Sequence, residues 1–98
     1  MYAIVWTYTV RPERAEEFAE AYGSAGAWAQ LFRTAEGYLG TELLRSDENP
    51  EEFVTVDRWE SRDAFVGFMG DYAEAYQALE RRYDGMCVQE NRVGAFTA

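Results

Sequence analysis

The stretch Phe53-Val-Thr-Val-Asp-Arg-Trp-Glu-Ser-Arg-Asp-Ala-Phe65 constrains this chain more than any other. Its first half alternates β-branched or aromatic residues with polar ones, the period of a strand. Ser61 then offers a helix N-cap, and Asp63 places negative charge in the first helical turn. Beyond it the apolar residues Phe65, Phe68, Met69, Tyr72, Tyr76 and Leu79 recur every three or four positions, one face of a helix. A strand ending in Trp59 therefore turns directly into an amphipathic helix. Period two puts Phe53, Thr55, Asp57 and Trp59 on one sheet face. If the helix folds back over that face, Trp59 lies at the mouth of the layer between them.

The rest of the chain supplies matching elements. Tyr2–Val10 is rich in β-formers on both faces and reads as a central strand. Pro12 suits the first turn of a helix whose stripe is Ala15, Phe18, Ala21, Tyr22 and Ala25. Gly23-Ser-Ala-Gly26 interrupts this helix, a second segment carries Trp28, Leu31 and Phe32, and Gly37 ends it. Tyr38–Arg45 is a second strand, Ser46–Glu51 a turn, and Glu52–Trp59 the third strand, so these two form a hairpin. The second helix runs from Arg62 to about Arg82, broken near Gly70-Asp71 with Asp71 capping its second half. After a turn at Asp84-Gly85, Met86–Phe96 gives a fourth strand, polar in its middle.

The order βαββαβ predicts an α+β, ferredoxin-like fold: an antiparallel four-stranded sheet formed by one domain, residues 1–98. Right-handed crossovers put both helices on one face. Val54 and Val56 then point to an uncovered apolar face, which predicts a homodimer joined through the sheet.

Composition narrows the function. A net charge of −9 argues against nucleic acid and anionic membrane surfaces, which call for basic patches. No apolar run is long enough to span a bilayer, and the N-terminus lacks the pattern of a signal peptide. One lone cysteine, Cys87, makes no internal disulfide and fits a cytoplasmic location; it reads as a small hydrophobe. The chain has no histidine, which excludes a His-ligated metal, a His-ligated haem and a Ser-His triad. The acidic residues Asp47, Glu48, Glu51 and Glu52 have no ligand spacing and read as a solvated turn, so no metal is expected.

Trp59-Glu-Ser-Arg-Asp-Ala-Phe65, together with Phe32-Arg-Thr-Ala-Glu-Gly-Tyr-Leu-Gly40 and the element order, resembles the antibiotic biosynthesis monooxygenase family of dimeric α+β barrels. The resemblance covers nearly the whole chain. The family it resembles includes cofactor-independent oxygenases of aromatic polyketides, haem-degrading enzymes, and many members with no known activity. In the haem-degrading branch a Trp follows the strand-end Trp by nine positions and an axial His comes ten later; here these are Phe68 and Ala78. In the polyketide-oxidising branch the strand-end Trp is matched by Trp59, while the Asn four residues earlier is Thr55 and the Tyr six residues later is Phe65.

Cofactor-free oxygenation requires an acidic, electron-rich substrate, a base, and flat apolar walls. Trp28, Thr55, Trp59, Phe65, Phe68, Tyr72 and Tyr76 are the candidate substrate contacts, the aromatic ones as walls, and Trp59 is with Asp57 a candidate catalytic residue. Tyr72 and Tyr76 could also orient a substrate hydroxyl. Asp57 is the candidate base if burial raises its pKa. The plainer alternatives are core packing for the aromatics and, for Asp57, an arginine ion pair or exposure near a strand end. Two functions stay open: a monooxygenase acting on a small aromatic substrate without cofactor, and a non-catalytic dimer that binds an apolar ligand.

Overall fold

The computed structural model describes residues 1–98. The strands are β1 (Tyr2–Val10), β2 (Tyr38–Arg45), β3 (Glu52–Trp59) and β4 (Cys87–Thr97). A 3-10 turn at Pro12–Arg14 leads into the helices α1 (Ala15–Tyr22) and α2 (Ala27–Phe32); α3 (Arg62–Asp71) and α4 (Ala73–Arg82) lie between β3 and β4. The sheet order is β2-β3-β1-β4, and all three neighbouring pairs are antiparallel. This is the ferredoxin-like arrangement, with the helices on one face. The fourth strand starts and ends one residue later than expected from sequence.

Register sets the composition of the helix-facing side. Tyr2 pairs with Trp59, Ile4 with Asp57, Trp6 with Thr55 and Tyr8 with Phe53, so the alternate positions of the two central strands face the helices together. On β2, Thr41 pairs with Asp57. Between sheet and helices lies a core rich in aromatic rings, with Phe18, Phe53, Trp59 and Phe68 at 0–2% exposure. Burying an aromatic side chain of this kind contributes roughly 1.5–3 kcal/mol each.

Three local expectations change. The second helix breaks at Tyr72, which is both the C-cap of α3 and the N-cap of α4, and no side chain caps α4; Asp71 is the last residue of α3. Ser61 does cap α3, accepting a bond from the Ala64 amide at 3.1 Å. Gly37 lies beyond the end of α2, in the turn before β2 at φ +85°, and a Cβ there would sit 2.6 Å from that of Ala64. It serves close approach to α3 as well as a left-handed turn. The stripe of the first helix stops at Tyr22, because Ala25 is exposed in the α1–α2 connection. A Cβ on Gly26 would come within 2.3 Å of the Glu20 and Ala21 carbonyl oxygens, so only glycine permits that tight reversal. The reversal brings Trp28 and Phe32 back over the sheet.

The opposite sheet face carries Val54 and Val56, both half-buried, with Leu44 and Phe96 each 51% exposed. An Arg58–Glu42 ion pair lies on the same face. No helix is long and apolar enough to cross a membrane.

Candidate functional site

A cavity of about 260 Å³ opens between the sheet and the helices. That volume sits just below the range on the order of 300–1,000 Å³ typical of ligand pockets, which fits a small planar molecule. Its floor is Trp6, Tyr8, Thr41, Thr55 and Asp57, all on the helix-facing side of the three strands. Tyr22, Trp28, Phe32 and Tyr76 form the walls. Glu80, Tyr83, Asp84, Gly85, Cys87 and Glu90 line the rest, and Glu80, Asp84 and Glu90 are solvent-exposed.

Of the residues expected from sequence, the cavity brings together Trp28, Thr55, Asp57 and Tyr76. Trp59, Phe65, Phe68 and Tyr72 do not line it. Trp59 is 0% exposed at the sheet end, enclosed by Phe32, Tyr38, Phe65 and Phe68 with ring centroids 5.2–5.7 Å away. Its indole nitrogen is buried without a hydrogen-bond partner. Phe32, brought in by the α1–α2 reversal, contacts Trp59 and is itself cavity wall, so it takes the position expected for the tryptophan. Phe68 packs tilted against Trp59 in the same cluster, and Phe65 packs between Trp59 and Tyr2. The Tyr72 hydroxyl is occupied, donating to the Thr34 carbonyl at 3.3 Å.

Asp57 gains its environment from the floor. Burial pushes its carboxyl up to about 6, partly offset by a hydrogen bond from the Thr41 hydroxyl to Oδ1 at 2.6 Å. Tyr38 extends this chain, its hydroxyl 2.6 Å from Thr41 Oγ1. Asp57 forms no ion pair; the two in the protein are Arg14–Glu17 and Arg58–Glu42. Its second oxygen, Oδ2, has no hydrogen-bond partner within the protein. A largely buried carboxylate with a free oxygen facing an aromatic-lined space can accept a proton near neutral pH.

The phenols around it stay protonated. Burial raises Tyr8, whose hydroxyl lies 3.3 Å from Thr55 Oγ1, and also Tyr22. Tyr76 is pushed up to about 12, first by burial and then by the nearby Glu80, Asp57 and Glu90 charges. Such groups can donate hydrogen bonds to a ligand oxygen but do not act as anions. The Cys87 thiol, also raised to about 12, chiefly by burial, is a poor thiolate ligand. No three His, Cys, Asp or Glu side chains converge as metal ligands.

Sequence reasoning missed Trp6, Tyr8, Tyr22, Phe32, Thr41 and Glu90. Because β1 is apolar on both faces, the sequence alone could not tell which set meets the helices. The β1–β3 register, which sets Trp6 beside Thr55 and Tyr8 beside Phe53, decides it.

The model of the antibiotic biosynthesis monooxygenase family matches residues 1–81. Among solved structures, SnoaB from Streptomyces nogalater, described as a cofactor-independent oxygenase, aligns with a TM-score of 0.67 and 24% identity over 99% of this chain and 91% of that one. A Deinococcus radiodurans protein provisionally named an antibiotic biosynthesis monooxygenase aligns with a TM-score of 0.75 and 17% identity, covering 100% and 92%. At these identities the likeness is one of fold. A relative from Natronomonas pharaonis, provisionally named a heme-binding protein, is 26% identical over 61 residues, 62% of this chain. That match spans 10% of the relative's own length.

Proposed function

The chain belongs to the antibiotic biosynthesis monooxygenase family, and from that membership we propose that it is a cofactor-independent monooxygenase acting on a small aromatic substrate. The observation that carries the reading is Asp57: a carboxylate near 6, free at Oδ2, on the floor of an aromatic-lined cavity. A substrate with an acidic ring methylene, as in an anthrone, stacks against Trp6, Trp28 and Tyr76. Asp57 takes one methylene proton. The resulting carbanion passes one electron to dioxygen, and the substrate radical and superoxide recombine at that carbon. Protonation of the peroxide and loss of water leave a carbonyl. One oxygen atom enters the substrate and the other leaves as water; the methylene supplies all four electrons, so no external reductant is required. The raised hydroxyls of Tyr76 and Tyr22 are the groups available to stabilise the substrate oxygen as charge develops.

The same reading makes the protein a cytoplasmic homodimer of one domain per chain, residues 1–98, joined through the face that carries Val54 and Val56. Leu44 and Phe96, half exposed beside them, support an apolar contact.

A second reading, a non-catalytic ligand-binding dimer, is favoured by one observation. Thr55 stands where the polyketide-oxidising branch has an Asn, and its hydroxyl lies within hydrogen-bond reach of Tyr8. Oxygen uptake with anthrone separates the two. The enzyme reading expects consumption above the spontaneous rate, lost in Asp57→Asn. Saturable binding with no excess uptake would sink the monooxygenase and leave the binding protein.

A further inference from the structure

The cavity's charge runs against the ligands its fold would suggest. Four carboxylates line it, from Asp57, Glu80, Asp84 and Glu90, and no arginine does. None of them is in an ion pair. The neighbouring guanidinium groups are placed otherwise: Arg11 donates to the Gly85 carbonyl at 2.9 Å, and Arg82 lies over the Tyr83 ring, 5.2 Å from its centroid. Arg92, paired with Trp6 on β4, exerts a positive charge on Tyr76 but forms no ion pair with a cavity carboxylate. Arg82 thus already holds one face of the Tyr83 ring, at the cavity, as a cation–π contact.

The aromatic lining acts in the same sense. Ring faces carry the negative end of the aromatic quadrupole, so a cation seated over the face of Trp6, Trp28, Tyr76 or Tyr83 is favoured there over an anion. The three exposed carboxylates also sense one another: the Glu90 carboxyl is held above its ordinary range, first by burial and then by Glu80 and Asp84. They do not converge as a metal site. An organic cation fits where a bare metal ion does not, because its charge can meet the carboxylates while its apolar body fills the cavity.

We propose that this cavity selects a small planar aromatic ligand carrying a protonated amine, with the ring among Trp6, Trp28 and Tyr76 and the ammonium toward Glu80, Asp84 and Glu90. The inference rests on the cavity being the ligand site, as in the proposed function, and does not depend on Asp57 being a base. It also bears on that chemistry. Deprotonating a neutral substrate here would create an anion facing carboxylates, and a built-in ammonium offsets that repulsion.

The test uses three matched probes, 1-naphthylmethylamine, 1-naphthalenemethanol and 1-naphthoate, titrated calorimetrically into the protein of residues 1–98 at pH 7. The ammonium probe is expected to bind about tenfold tighter than the alcohol, with the carboxylate weakest. Glu80→Gln and Glu90→Gln lie at exposed positions and spare the core, and each should reduce the ammonium preference about two- to fivefold while leaving the alcohol unchanged. Raising the salt should reduce the preference in the wild type. Equal binding of the three probes, no binding of the ammonium probe, or a preference untouched by both glutamine variants overturns the proposal. Oxygen uptake is scored separately: a charge preference without uptake removes the enzyme reading and leaves this one standing, and uptake without a preference does the reverse.

Discussion

Thr41 Oγ1 donates to Asp57 Oδ1 at 2.6 Å across a paired position of β2 and β3, and is the only side chain that hydrogen-bonds the cavity's buried carboxylate. A hydrogen bond to the charged form lowers a carboxyl's pKa, so Thr41 opposes the upward push of burial.

Thr41→Val removes that donor with little change in shape. The Asp57 pKa should move further up, and the acid limb of kcat/KM for oxygen uptake should move to higher pH. Each unit of movement lowers the ionised fraction well below the midpoint about tenfold. A pH profile of the variant that overlays the wild type would show that Asp57 does not set the limb.

Asp57→Asn should stabilise the fold at neutral pH while abolishing uptake. The folded value of about 6 lies above the ordinary carboxyl value of 3.8, so the native state holds more protons between them. Stability from this group is full below the unfolded value and is lost as pH rises through about 6. Asparagine keeps an acceptor for Thr41 without the buried charge. Thermal unfolding should show the variant more stable than wild type at pH 8 by on the order of 1–3 kcal/mol, with the gap closing towards pH 4. A gap that stays constant with pH would argue against the raised carboxyl.

Trp59 should matter for the fold and not for the ligand. Trp59→Ala leaves a large void in the cluster around Phe32 and Phe68 and should cost about 3–5 kcal/mol. Trp59→Phe keeps most of the packing and should bind anthrone or naphthalene probes as wild type does, whereas Tyr76→Ala should weaken them several-fold. Weaker binding in Trp59→Phe at unchanged stability would place the tryptophan on the ligand after all.

Sedimentation at micromolar concentration should give a dimer. Val56→Glu and Leu44→Glu, on the face away from the helices, should give a folded monomer, because burying two unpaired carboxylates there is unfavourable. A monodisperse wild-type monomer would remove the sheet-face dimer.

Haem should give no defined axial complex on titration. The chain has no histidine, the Cys87 thiol is raised to about 12, and the cavity carboxylates repel propionates. A saturable one-to-one Soret spectrum would show another residue acting as ligand.

What the sequence determined by itself is the local order. Alternation in Phe53–Trp59 and three-and-four spacing from Phe65 to Leu79 follow from backbone geometry alone, and they gave β3 and the long broken helix. The element order then led to the ferredoxin-like topology, because few connections satisfy right-handed crossovers. The face containing Thr55 and Asp57 was legible for the same reason. The location of the cavity was decided only by tertiary structure. It depends on the Gly26 reversal that returns Phe32 to the sheet, and on the register that brings Trp6, Tyr8 and Thr41 to the floor. It depends too on β4, which brings Glu90 to Glu80 of α4 and to Asp84 in the turn after it. Contacts between residues far apart in the chain leave no period in the sequence, and a strand apolar on both faces does not announce which side is covered. Trp59 looked like a cavity wall from its place at a strand end; the aromatic residues that other elements pack around it make it core.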